Sequence, residues 1–323
     1  MLSKIGEIPL KTGENMQILM VKTPDSHYER KIISFLSCTN KLWRWHLNMA
    51  VRGELDDLQA RFYLGLLKRR IISNVSTWEH GSIGIVAHLF TARNHRRKWA
   101  CSGLMKAQIQ DFRNRGGKIL IGGFRPSSYP IAKSLGFQSI IDNSEVMHYD
   151  LHPSLDRREY FQAKKLFCRD SMWKDWPGIS LLFGVREGWR LRSVKHRIYG
   201  AFDYEDYFLE DMRERFKGLC VSKVLITEKE SIVGYATLTS KHRGKGNFHL
   251  LDFFIHPAVV SCANTMLDVI DFPLGKVECY VESECQEKRE MLLKRGFKEK
   301  TIQKQIKSNG KKLDIIAMEM FHR

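Results

Sequence analysis

Apolar residues in the first half of this chain recur with two alternating periods, near 2 and near 3.6, the signature of strands interleaved with helices. Residues 17–21 form a short apolar run closed by Thr23-Pro24-Asp25, and residues 27–36 have helical spacing with Pro24 and Asp25 as the start signal. Residues 43–55 fit either period. The runs 61–67 (RFYLGLL) and 71–78 (IISNVSTW) are rich in β-branched and aromatic residues and flank the charged turn Lys68-Arg69-Arg70, which predicts an antiparallel hairpin. After the Gly81-Ser82 break, residues 83–91 (IGIVAHLFT) predict another strand. Residues 93–98 (RNHRRK) are polar and basic, and helical periodicity runs over 102–112 until Gly116-Gly117 ends it. A buried-type strand at 118–124, a short helix at 126–135 and a hairpin at 137–149 complete this half.

The second half repeats the order. Strands at 222–228 and 232–239 pair across a Lys229-Glu230 turn, followed by an apolar strand at 249–256 and helical spacing at 262–270. A strand at 276–281, a helix at 284–294 and a terminal hairpin with the turn signal Ser308-Asn309-Gly310 follow. Gly136-Phe137 and Gly296-Phe297 lie 160 positions apart, which points to a duplicated αβ unit. The expected division is residues 1–155 and 156–323. A charged connecting helix spans 156–165, and Asp175-Trp176-Pro177-Gly178 starts the first helix of the second unit.

Composition narrows the classes. With 43% hydrophobic and 28% charged residues, the chain of 323 residues is neither disordered nor low in complexity. Seven cysteines, odd in number and without a CxxC pair, speak against a disulfide framework or a cysteine-rich zinc site, and no metal is expected. Residues 1–20 carry Lys4, Glu7, Lys11 and Glu14 among the apolar positions, so no signal-peptide core is read there. No apolar run approaches the roughly 18 residues of a bilayer span. These features predict a reduced, cytoplasmic protein without a membrane partner. Charge is the unusual property. The 53 Lys and Arg outnumber the 36 Asp and Glu, giving +17, spread over both halves. Such a field favours polyanions, with nucleic acid as one partner, and is also met by a uniformly basic surface.

From the strand at 83–91 through the basic loop, the helix at 102–112, the strand at 118–124 and the closing Gly136-Phe137, the first unit resembles the GNAT acyltransferase superfamily. The resemblance implies two tandem GNAT-like units of α/β (α+β) class, each a mixed, mostly antiparallel sheet flanked by helices. Members carry an Arg/Gln-x-x-Gly-x-Gly/Ala loop, and Arg96, Arg97, Lys98, Trp99, Ala100 and Cys101 occupy it here. Free amides at a helix start and the helix dipole suit a pyrophosphate, with Arg and Lys adding charge. The implied acetyl-CoA contacts are therefore Leu89, Phe90, Thr91, Arg96, Arg97, Lys98, Trp99, Ala100, Cys101 and Ser102. Trp99 stands at the first Gly position, where an indole is expected to redirect the loop or fill the pocket. In the second unit the matching loop, Ala258 to Asn264, holds neither Arg, Lys nor Gly, so no tight acyl-CoA site is expected there.

The resemblance implies acyl transfer from acetyl-CoA, as co-substrate, to an amine-bearing acceptor. A backbone amide polarises the thioester, a base takes the ammonium proton and an acid protonates the thiolate. At the position of the family's acidic Tyr stand Ala132 and, in the second unit, Leu292; Tyr129 lies one turn earlier. Base candidates are Glu79, His80 and His88, and position alone does not choose among them. His88 also reads as a hydrogen-bonded sheet histidine, Glu79 as a turn residue and Tyr129 as a core aromatic. Two alternatives remain: a non-catalytic GNAT-fold binding protein for a CoA compound or nucleic acid, and a transferase using aminoacyl-tRNA.

Overall fold

The computed structural model describes residues 2–140, 146–151, 157–243, 246–308 and 311–322. The chain divides into two compact units, Met1–Leu155 with Met172–Ser180, and Asp156–Ser171 with Leu181–Arg323. The expected boundary at 155/156 and the turn residues Asn309-Gly310 lie outside the described residues.

The first unit runs β1 (Leu2–Pro9), β2 (Asn15–Lys22), α1 (Ser26–Phe35), α2 (Lys41–Arg52), β3 (Gln59–Leu67), β4 (Arg70–His80), β5 (Ile83–Thr91), α3 (Ala100–Asn114), β6 (Ile119–Gly123), α4 (Tyr129–Ser134), β7 (Gln138–Ser139) and β8 (Val146–Asp150). Its sheet has the order β1-β2-β3-β4-β5-β6-β8-β7. Neighbours are antiparallel except β5 and β6, which are parallel because α3 carries the chain across between them. α1 begins where the sequence signals it, with the Asp25 carboxylate accepting from the Tyr28 amide. The segment that fits either period is helix α2, capped by Asn40 and closed by Gly53. Its inward face, His46, Leu47, Ala50 and Val51, has the i, i+4 spacing that decides for helix once a sheet lies beneath it. The strand β1 has no strong pattern of its own and forms by pairing with β2.

Helix α3 packs on one face of the sheet, where Gln108 donates to Thr77 Oγ1 at 2.9 Å and Leu104, Met105 and Phe112 join Tyr63, Val75 and Val86 in one core cluster. On the opposite face α2 and residues 173–176 build an aromatic layer around His46: its ring centroid lies 4.5 Å from Trp78, 4.9 Å from Trp176 and 5.3 Å from Trp173. The helix start signal at Asp175 does open a helix, α6 (Trp176–Phe183), preceded by α5 (Arg157–Phe161) and β9 (Leu166–Asp170). The first turn of α6 groups with the first unit.

The second unit continues with β10 (Leu191–Ser193), β11 (Ile198–Tyr199), α7 (Glu205–Phe216), β12 (Cys220–Thr227), β13 (Ile232–Arg243), β14 (Gly246–Ile255), α8 (Ala263–Leu267), β15 (Gly275–Glu282), α9 (Gln286–Lys294), β16 (Lys298–Ser308) and β17 (Lys311–His322). Its large sheet has the order β16-β17-β15-β14-β13-β12-β9, with β14 and β15 as the parallel pair. Read from the other edge, this is the order of the first sheet without its outer strand β1. The expected architecture is therefore present: two units, each a mixed, mostly antiparallel sheet flanked by helices. Among the described residues no helix is long and apolar enough to cross a membrane.

A buried polar network organises the second unit. Asp211 of α7 accepts from Lys195 Nζ at 2.6 Å, Tyr204 at 2.7 Å and Tyr235 at 3.0 Å, and lies 2.9 Å from His196 Nε2. Burial alone pushes its carboxyl up, but His196 and Lys195 hold it well below the usual carboxylate range. Removing Asp211 leaves the buried Lys195 ammonium with Glu214 as its one carboxylate partner among the described residues and strips the hydroxyls of Tyr204 and Tyr235 of their acceptor. Asp211→Ala is expected to destabilise the second unit by about 3–5 kcal/mol, read as a lowered urea midpoint.

Candidate functional site

The site begins with a defect in the β4–β5 ladder. Asn74 pairs with Phe90 and Ser76 with Ala87, so β5 holds an extra residue between them, and His88 takes a left-handed φ of 50°. A polar row on β4 fixes this bulge: Asn74 Nδ2 donates to the His88 carbonyl at 2.8 Å, Ser76 Oγ to the Ala87 carbonyl at 3.0 Å, and Ser73 Oγ lies 2.8 Å from Thr91 Oγ1. On its other edge β5 pairs with β6 only from Ile83 to Ile85. Gly122 marks the last close approach, since a Cβ there would lie 3.0 Å from the Val86 carbonyl oxygen. Beyond it, among the described residues, the edge of β5 facing β6 has no strand partner through Thr91. The two middle strands thus separate at the bulge.

The loop after β5 is tied to this edge. Arg96 Nε donates to the Thr91 carbonyl at 3.0 Å, and the Lys98 carbonyl accepts from the Lys11 amide at 3.3 Å. The Trp99 carbonyl accepts from the Gly103 amide at 2.9 Å and from Ser102 Oγ at 3.1 Å. No amide from Arg97 to Ser102 donates to an acceptor among the described residues. This leaves a row of free donors at the head of the fifteen-residue helix α3. Arg97 and Trp99 have φ of 58° and 68°, and the indole of Trp99 is 60% exposed. The expectation that Trp99 fills the pocket is thereby corrected: its backbone takes the conformation a glycine there would take and turns the ring to solvent. Ala100 is buried, and burial pushes the Cys101 thiol up to about 11, so it stays protonated at neutral pH.

The base and acid candidates part company. His88 sits in the bulge, with its ring 5.1 Å from Trp43 and 5.7 Å from Trp78. Its Nε2 is buried without a hydrogen bond, and burial lowers its pKa to about 4, so the ring is neutral at pH 7. Glu79 pairs with Gly84, near the opposite end of β5 from the bulge. Both its oxygens are engaged, by Arg61 at 2.7 Å and by Arg115 at 2.6 and 2.9 Å. Burial pushes this carboxyl up against the pull of the two guanidiniums, and through Arg115 the group anchors the C-terminal end of α3. His80 ends β4 at the same far hairpin. Tyr129 opens α4 with its hydroxyl 3.0 Å from Ser139 Oγ and its ring against the core. The structure brings together His88, Leu89, Phe90, Thr91 and the loop 96–102, and leaves Glu79 and His80 apart.

His46 was not legible as part of the site's surroundings. Its signal lies in α2, where Trp43, His46 and Leu47 share a face. Both His46 nitrogens are buried without partners, and burial lowers its pKa well below 6.5.

In the second unit the equivalent gap is filled by the chain itself. β14 pairs with β15 only as far as Leu251. Past it, Ser193 Oγ and the amides of Val194 and Lys195 donate to Asp252 at 3.0, 2.9 and 2.8 Å, while the Leu191 amide donates to Glu282 at the end of β15. Trp189 packs 5.5 Å from Phe253, and Lys288 Nζ donates to the Phe253 carbonyl at 3.3 Å. The loop that follows β14 is a 3-10 turn ending in the five-residue α8, shorter than the helix expected over 262–270. Among the basic residues of 186–197, Arg192 is structural: it is buried over Phe254 at 4.3 Å.

No family model matches this sequence, and no curated protein matches it. Among solved structures, the chain is similar to a ribosomal-protein-alanine N-acetyltransferase from Brucella melitensis, with 15% identity over 48% of this chain and 99% of that one, at a TM-score of 0.39. A spermidine N-acetyltransferase from Vibrio cholerae, solved with CoA and spermine, gives 15% identity over 48% and 95% at 0.36. A GNAT-family acetyltransferase from Streptococcus pneumoniae gives 14% over 49% and 100% at 0.34.

Two outcomes follow from this geometry. Unfolded histidines take up protons near pH 6.5, whereas His88 resists until about pH 4 and His46 also resists. The unfolded chain therefore binds more protons below pH 6.5, and the stability that neutral rings provide is lost as pH falls from 6.5 towards 4. The melting temperature of the first unit should drop over that window, and His46→Leu should shallow the slope. Trp99→Gly should leave the melting temperature within about 2 °C, because relief of the left-handed backbone and the added entropy of the unfolded chain are each about 1 kcal/mol and opposed.

Proposed function

We propose that the first unit is an acyl-CoA-dependent N-acyltransferase, with acetyl-CoA as co-substrate and an amine as acceptor, and that the second unit is a scaffold whose own cleft is closed. The observation carrying this reading is the continuity of three features: the bulged edge of β5, its separation from β6, and the free amides from Arg97 to Ser102 at the head of α3. The amides and the flanking Arg96, Arg97 and Lys98 suit a pyrophosphate, and the unpaired β5 edge suits a pantetheine amide chain running towards the bulge.

At the bulge, main-chain donors of β5 are placed to polarise a thioester carbonyl. The acceptor nitrogen attacks the carbonyl carbon, the carbon–sulfur bond breaks, and the amine's proton leaves while the thiolate gains one. His88 is the imidazole nearest this point and is neutral at pH 7, so it is competent to take the proton once its ring is uncovered; a water molecule serves otherwise. Tyr129 is the candidate donor to the thiolate. Glu79 is assigned no chemical step.

Isothermal titration with acetyl-CoA should show one site per chain. Arg96→Ala with Arg97→Ala should weaken it by about tenfold, the scale of one charge-assisted phosphate contact. Absence of heat with the intact protein, or unchanged affinity in the double variant, would remove this proposal.

A further inference from the structure

The first unit contains a second built feature, beside the bulge rather than at the head of α3. An open groove of about 430 Å³ is lined by Arg30, Lys31, Ser34 and Phe35 of α1 and by Arg69, Arg70 and Ile71 at the β3–β4 turn. That volume falls in the range of about 300–1,000 Å³ typical of small-ligand sites. Lys68 and Arg69 hold φ of 48° and 66°, which makes the turn tight and sets the Arg69–Arg70 pair opposite α1.

The charges in this groove are not neutralised by the protein. Among the described residues Arg30, Arg69 and Arg70 have no acidic partner. The Lys31 ammonium lies 2.8 Å from His27 Nε2 and over the Tyr28 ring, again without an acid. Phe35 and Ile71 give the same lining an apolar part. Cations beside an aromatic ring form the arrangement that accepts a phosphate and a base plane together, whereas polyamines are repelled by it.

The groove is connected to the reaction centre through one ring pair. Phe35 meets Phe90 edge-on at 5.2 Å, and Phe90 is two residues past His88. Both rings are on the sheet face that carries α1 and α2, since Trp43 of α2 packs on His88 of the same strand. The face that carries α3 is the other one, marked by Gln108 on Thr77. The groove thus approaches the bulge from the side opposite α3. We infer that this groove binds a nucleotide unit, phosphate on Arg30, Arg69 and Arg70 and base on Phe35, as the recognition element of the acceptor. The acceptor role rests on the transferase reading above; the binding itself does not.

The test uses the full chain and four probes: a fluorescent twelve-residue single-stranded oligonucleotide, AMP, inorganic phosphate and spermidine. The oligonucleotide should bind with log K falling linearly against log salt, by about 0.7 per phosphate neutralised. Arg30→Gln with Arg70→Gln should weaken it at least about tenfold and shallow that slope by about 1.4, while Lys229→Gln on the second unit changes neither. AMP competing in the same variant-sensitive way assigns the free nucleotide as sufficient. Competition only by oligonucleotide assigns the polymer. Either outcome supports the inference. Equal competition by inorganic phosphate and AMP would overturn the base-on-Phe35 assignment, and so would binding of spermidine. Unchanged oligonucleotide affinity in the double variant overturns the site itself. Loss of acetyl-CoA affinity in that variant would return the groove to the CoA site and also overturn it. Should acetyl-CoA fail to bind the intact chain while the oligonucleotide results hold, the transferase reading falls and the nucleotide groove stands.

Discussion

One hydrogen bond shapes the candidate site more than any other, that from Asn74 Nδ2 to the His88 carbonyl. It holds a residue with positive φ in the middle of an apolar strand, where a β-bulge redirects the chain. Strand β5 then leaves its parallel neighbour after three paired positions. The result is a wedge with main-chain groups along one wall, ending in the loop that feeds the head of α3. Were β5 regular, ladder bonds to β6 would consume those groups. The buried side chains of Ser73, Asn74 and Ser76 serve this irregularity, which explains polar residues on a strand that is otherwise apolar and central.

The two units show how one topology can keep or lose a cleft. Both sheets contain the parallel pair and the separation beyond it. In the first, a fifteen-residue helix begins at the separated end and presents free amides. In the second, the helix is five residues long and the segment around Trp189 to Lys195 bridges Asp252 and Glu282 across the gap. Those bonds and the aromatic contacts of Trp189 and Lys288 make the second gap a packed interior. Its charged residues are engaged in the same way: Lys195 and Arg192 are spent on Asp211 and on carbonyl groups, so they add little to a surface field.

The aromatic layer on the α2 face has a different consequence. His46 is buried among indoles with neither nitrogen hydrogen-bonded, and the half-buried His88 packs on two indoles with its Nε2 covered and unpartnered, so both rings are neutral at pH 7. A neutral imidazole beside the bulge retains a lone pair for proton transfer, and the same burial makes the unit sensitive to acid. The proposed proton transfer and the acid sensitivity there depend on one desolvation effect.

Much of this architecture was legible in the chain. The periods of apolar residues gave β5 its limits, Asp25 gave α1 its start, and the spacing of the two Gly-Phe pairs gave the duplication, because these features are local or repeat in order. The six loop residues from Arg96 to Cys101 also pointed to the head of α3. What sequence did not settle depends on neighbours distant in the chain. Residues 43–55 fit two periods until a sheet face chose helix. Glu79 reads as an available base until Arg61 and Arg115, 18 residues before it and 36 after it, close on both its oxygens. Trp99 reads as an obstruction until the backbone φ that directs its ring outward is known. Local pattern determines which elements form, because propensity and burial period act over a few residues. The tertiary structure decides which polar groups are left unpaired, because that depends on what packs against them.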